Sequence, residues 1–127
     1  MIIEHRTYTV HPGKLSAQLR LYEEHGFAVQ KRYLGAPLAF LVTEIGDVNS
    51  YIHLWVYENS EDRERRRAQL AADLDWQAYL AKSSCAGHIA KQETKLLKPA
   101  GFAPLQKWND ASDAMERPIS DIDDCRQ

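Results

Sequence analysis

The sequence predicts an α+β domain with the element order β-α-β-β-α-β. Three observations carry that prediction. Ser50 to Glu58 alternates strictly, with Ile52, Leu54 and Val56 on one face and Tyr51, His53, Trp55 and Tyr57 on the other. A second β-rich run, Pro37 to Ile45, precedes it across the turn residues Gly46-Asp47-Val48-Asn49, which makes a hairpin. Helical periodicity fills the segments before and after that hairpin, and a strand-like run flanks each end. This order is the split βαβ motif of ferredoxin-like folds. In such a fold helices cover one face of an antiparallel sheet, and the other face is expected to meet a second copy of the chain.

Each element has a local cause. Ile2 to Val10 is rich in β-branched and aromatic residues and is stopped by His11-Pro12-Gly13. Leu15, Leu19 and Tyr22 follow the helical period, Gly26 is a helix stop, and Phe27 to Leu34 adds a short helical stretch. Asn59 or Ser60 caps the next helix, with Glu61, Asp62 and Glu64 at its positive end. Asp73 or Asp75 caps a further helix carrying Trp76, Tyr79 and Leu80, and Gly87 ends it. His88 to Leu97 completes the strands before Pro99.

The 127 residues suit one domain of ordinary globular composition, 44% hydrophobic and 27% charged. The net charge of −2 removes the electrostatic reason to expect nucleic acid. No apolar run reaches the ~20 residues of a membrane span, and the first residues do not read as a secretory signal. Cys85 and Cys125 form no framework and no zinc spacing, which reads as free thiols in a reducing, cytoplasmic setting. The domain is expected over residues 1–106. Residues 107–127 form an acidic C-terminal tail, with Trp108, Met115, Ile119 and Ile122 as its candidate anchors.

The polar-aromatic face of the third strand is the strongest functional signal. His53 is the candidate proton-transfer group, because its free pKa lies closest to neutrality. Trp55, Tyr57 and Tyr51 are candidate substrate-binding walls. Antiparallel pairing of the first and third strands would bring Arg6 close to His53, where its planar fork suits a carboxylate; Tyr8 and Glu44 would orient these partners. The plainer alternatives are a half-exposed or dimer-facing strand, and an ion pair of Arg6 with Glu4 or Glu44. The run Glu61 to Arg67 reads as a solvated helix face or a docking patch. The five histidines lack metal-ligand spacing and there is no glycine-rich phosphate loop, so no metal and no cofactor is expected.

The segments Glu4-His5-Arg6-Thr7-Tyr8-Thr9, Pro12-Gly13-Lys14, Thr43-Glu44-Ile45-Gly46 and His53-Leu54-Trp55 resemble the NIPSNAP family. Asp62 to Arg67 and Trp76-Gln77-Ala78-Tyr79-Leu80 continue the likeness, which spans about residues 1–105. The resemblance implies a homodimeric α/β barrel. Related barrels include cofactor-free monooxygenases, haem-degrading enzymes and small-ring isomerases. Three functions follow as expectations. The first is a small-molecule-binding protein or enzyme for an aromatic or acidic metabolite, working without a tightly bound metal. The second is a non-enzymatic homodimeric adaptor using the Arg63–Arg67 helix and the tail. The third is a haem-binding or monooxygenase-type barrel.

Overall fold

The computed structural model describes residues 1–105, so the expectations for the tail lie outside the described residues. The strands are β1 (Ile2–Val10), β2 (Ala39–Val42), β3 (Ser50–Tyr57) and β4 (Ile89–Leu97). The helices are α1 (Leu15–His25), α2 (Phe27–Leu34), α3 (Ser60–Ala72) and α4 (Leu74–Ala86). The sheet order is β2-β3-β1-β4 and every pairing is antiparallel. This is the ferredoxin-like order, with each helical segment divided into two short helices.

The caps are those the sequence signals. The Asn59 side chain accepts from the Asp62 backbone N–H, and the Asp73 side chain accepts from that of Trp76. Gly87 closes α4 in the left-handed region at φ 65°, where a side chain would be strained. β2 is shorter than the sequence predicts. Thr43 hydrogen-bonds Ser50 with its side chain, and Asp47 accepts from Asn49 and Ser50, so residues 43–49 form a turn before β3 starts.

Register decides which side chains face the helices. Ile2, Glu4, Arg6 and Tyr8 lie opposite Tyr57, Trp55, His53 and Tyr51 respectively. All eight therefore share one face, and Glu4 reaches Arg63 and Arg67 on α3. The polar-aromatic face of β3 is thus turned inward against the helices, so it gives no support to a dimer contact. The opposite face carries Ile3, Leu41, Ile52 and Leu54, of which Leu41 is exposed and the other three are half-buried among the described residues.

The apolar core sits at one end of the helix–sheet layer. Ile2, Val29, Leu34, Trp55, Tyr57 and Leu70 form it, with Tyr33 and Trp76 packed alongside. Towards the other end, aromatic rings and polar side chains replace aliphatic ones. Gly26 lies at the junction of α1 and α2, where a Cβ would come within 3.0 Å of the Tyr22 ring and 3.1 Å of the Tyr79 ring. The absence of a side chain lets those two rings close on the joint. Gly26→Ala should therefore destabilise the chain by about 1–3 kcal/mol, the usual cost of overpacking. A urea midpoint unchanged from that of the parent chain would refute this.

Candidate functional site

Glu4 is fully buried on β1, and a buried carboxylate is costly unless it is paired. Arg63 and Arg67 reach it from α3, each ion-paired to a different carboxylate oxygen. Arg6, two residues along β1, approaches at 3.3 Å. Three guanidinium groups thus converge on one carboxylate. The Arg63–Arg67 run is therefore not simply a solvated face: Arg63 and Arg67 turn inward. Arg65 and Arg66 both pair with Asp62 on their own helix, at 2.6 and 2.9 Å.

Beside this cluster lies a cavity of about 550 Å³. β1 contributes Arg6 and Tyr8, β3 contributes Tyr51 and His53, and α3 contributes Arg67. Tyr22 and Gln30 close it from α1 and α2, and α4 adds Trp76, Tyr79 and Ser83. Polar groups beside the cavity hold one another in place. The fully buried Gln18 donates to the hydroxyls of Tyr51 and Tyr79, both at 3.4 Å, and its carbonyl oxygen lies 3.3 Å from His88 Nδ1. Tyr22 donates to Gln30 Oε1. Arg6 Nε donates to the Tyr8 hydroxyl at 2.9 Å.

His53 is buried and sandwiched between two rings. Tyr8 stacks at 5.0 Å and Phe40 at 5.1 Å between centroids. The Trp55 indole N–H donates to His53 Nδ1 at 2.7 Å. Burial, then the positive charges of Arg6 and Arg67, push the His53 pKa down to about 3. The imidazole is neutral at pH 7, which argues against the titrating role expected for it. Arg6 is held even more firmly charged than usual: burial opposes the charge, and contact with Tyr8 and Glu4 outweighs it. Burial raises the pKa values of Tyr22, Tyr51 and Tyr79, so these phenols stay protonated.

Of the residues singled out from sequence, the fold brings Arg6, Tyr8, Tyr51 and His53 into one cavity wall. Trp55 and Tyr57 share their face but lie deeper, in the apolar core. Trp55 reaches the site through its hydrogen bond to His53. Glu44 is exposed in the turn after β2 and is not part of the lining. The ion pair expected for Arg6 is made with Glu4. Arg67, Tyr22, Tyr79 and Gln18 were not anticipated as site residues. Gln18 alone carries a signal, as a polar side chain on the helix face that also holds Leu15 and Tyr22. Among the described residues, no group of three His, Cys, Asp or Glu side chains is placed to hold a metal ion. No helix among them is long and apolar enough to cross a membrane.

Comparison with known proteins places this geometry. The NIPSNAP family profile matches residues 3–104. A NipSnap homologue of Dictyostelium discoideum is 33% identical over 96 residues, covering 76% of this chain and 41% of that protein. The chain thus spans about two fifths of that relative's length. A NIPSNAP family protein of unknown function from Agrobacterium tumefaciens is 38% identical with a TM-score of 0.75, over 84% of this chain and 94% of its own. An uncharacterised NIPSNAP domain protein from Burkholderia xenovorans is 30% identical with a TM-score of 0.75, over 83% and 100% of the two chains. A Nitrosomonas europaea protein described only as a candidate antibiotic biosynthesis monooxygenase shares the fold alone: 10% identity, TM-score 0.56, 76% of this chain and 96% of its own.

The buried imidazole gives stability a definite pH dependence. The pKa of His53 is about 3 in the folded chain against 6.5 ordinarily, so between these values the unfolded chain binds the extra proton. This contribution to stability is fully present above pH 6.5 and is lost as the pH falls towards 3. The slope should approach 1.4 kcal/mol, roughly, per pH unit inside that window. Urea unfolding between pH 4 and 6.5 should show His53→Asn with a shallower slope than the parent, by about one proton. Parallel slopes would contradict the assignment.

Proposed function

This chain belongs to the NIPSNAP family, and on that premise we propose that it binds a small aromatic or acidic metabolite in the cavity between sheet and helices. The observation that carries the reading is the cavity itself. Its volume of about 550 Å³ falls within the ~300–1,000 Å³ of small-molecule sites. Its walls combine flat aromatic surface with two guanidinium groups, those of Arg6 and Arg67. Flat rings suit a planar ligand, and excess positive charge suits an acidic one. The ligand-binding role needs no tightly bound metal.

An adaptor would need its specific surface outside and would leave the layer filled. The cavity favours the ligand-binding reading. So does the inward turn of Arg63 and Arg67, which removes two charges from the proposed docking helix.

A homodimer is the second part of the reading. The sheet face opposite the cavity presents Ile3, Leu41, Ile52 and Leu54, and among the described residues Leu41 is 49% exposed. A second copy packed sheet to sheet would remove this apolar surface from water, at about 25 cal/mol per Å². Light scattering at micromolar concentration should give twice the chain mass, and Leu54→Glu should give the monomer mass. A monomeric parent chain would end this part of the reading.

For the ligand, a panel of small aromatic carboxylates should raise the thermal midpoint of the parent chain. Ser83→Phe places a ring in the cavity and should abolish the rise while leaving the circular dichroism spectrum intact. No rise with any member of the panel, or an equal rise in the filled variant, would refute cavity binding.

A further inference from the structure

We infer that Trp55 is a positioning residue that locks His53 as a hydrogen-bond donor, so that His53 Nε2–H, Arg6 and Arg67 together receive an anionic oxygen of the bound ligand. This rests on reading the cavity as a ligand site.

The lock follows from donor and acceptor inventory. An indole N–H can only donate. It lies 2.7 Å from His53 Nδ1, so that nitrogen must present its lone pair. A neutral imidazole carries one N–H, which is therefore on Nε2. The charged form would set two N–H groups head to head, between Arg6 and Arg67. Turning the ring over would put a carbon against the indole N–H and leave a donor unsatisfied on Trp55, which is fully buried. The stacked rings of Tyr8 and Phe40 hold the plane of the imidazole. Nε2 has no hydrogen-bond partner among the described residues, and His53 lines the cavity.

The charge balance points to the same ligand. Arg6, Arg63 and Arg67 share the single carboxylate of Glu4, which leaves positive charge in excess beside the cavity. The neighbouring titratable groups add no counter-charge: Tyr22 on α1, Tyr51 on β3 and Tyr79 on α4 are held protonated. Tyr8 on β1 already accepts from Arg6, so its own proton is available to a ligand. The wall is rich in donors and has no carboxylate or basic imidazole to take a proton. A ligand arriving with its oxygen already anionic, as a carboxylate or a phenolate, matches it. Abstraction of a proton by His53 does not.

Two measurements on the full chain test this. Long-range proton–nitrogen correlation spectra of ¹⁵N-histidine-labelled protein at pH 7 should show His53 with an unprotonated Nδ1 and a protonated Nε2. In Trp55→Phe, whose fold is checked by its amide spectrum, the Nδ1–H form should appear. A protonated Nδ1 in the parent chain overturns the lock without any need for the variant to fold, and so does an unchanged single tautomer in a folded Trp55→Phe. The second measurement compares benzoate with benzamide, which has similar shape and no charge. Benzoate should bind at least about tenfold more tightly, a difference of roughly 1.4 kcal/mol. That advantage should shrink in Trp55→Phe, where Arg6 and Arg67 remain but the fixed Nε2–H does not. Equal binding of the two probes overturns the anionic-oxygen role while leaving cavity binding intact. No binding of either, together with the expected tautomer, overturns both the cavity reading and the oxygen role.

Discussion

Glu4 has no access to water, and much of the arrangement follows from that constraint. A carboxylate in such a position is tolerated only with charged partners, and removing them would typically cost several kcal/mol. Arg63 and Arg67 supply the pairing, and in doing so they fasten α3 to the middle of the sheet. The helix has little else to dock with, since Leu70 is its only buried large apolar side chain. The stems of the arginines cover sheet surface while their heads meet the carboxylate. One ionic contact thus does the packing that a leucine stripe does elsewhere. It also fixes Arg6 and Arg67 at the edge of the cavity.

Around that contact the interior divides into two environments. Near Trp55 and Tyr57 the layer is apolar and closed. One residue pair further along the strands, at His53 and Arg6, it becomes polar and hollow. Trp55 belongs to both, with its rings in the core and its N–H on His53. Burial keeps the imidazole and the phenols uncharged, while contact with Tyr8 and Glu4 keeps Arg6 charged. The same desolvation that makes the site poor at taking protons makes its fixed donors stronger, because fewer waters compete for them.

The sequence made the sheet and the caps legible, because both depend on local pattern. Period-two alternation identifies the faces of β3, and Asn59, Asp73 and Gly87 mark helix ends by chemistry that acts over three or four residues. Register then followed from the fold order, so Arg6 beside His53 was foreseeable. Depth along a strand was not. Alternation puts Tyr51, His53, Trp55 and Tyr57 on one face but does not reveal where the helices close over it. Arg67 was hidden for a different reason. Its partner is 63 positions away, and an arginine on a charged helix has no pattern that separates an inward side chain from a solvated one. Tyr22 and Tyr79 fit a helical core stripe equally well, so only three dimensions reveal that their edges border a cavity. Glu44 failed through a boundary: it reads as the end of a strand and lies in the turn after it.

A folded chain that gathers three guanidinium groups around one carboxylate beside an open cavity is not at its electrostatic optimum. A second acid in the wall would relieve the repulsion, yet Gln30 and Gln92 border the cavity where a glutamate of nearly equal size would fit the backbone as well. An anionic ligand would offset the same repulsion from outside the chain. Because it would bind the folded form and not the unfolded one, its affinity and the stability of the domain become linked quantities. On the proposed reading, the positive excess beside the cavity is what an anionic ligand would balance. The same Glu4 carboxylate that docks α3 through Arg63 and Arg67 also holds Arg6 and Arg67 at the cavity edge, so packing and the charge of the cavity wall share one cause.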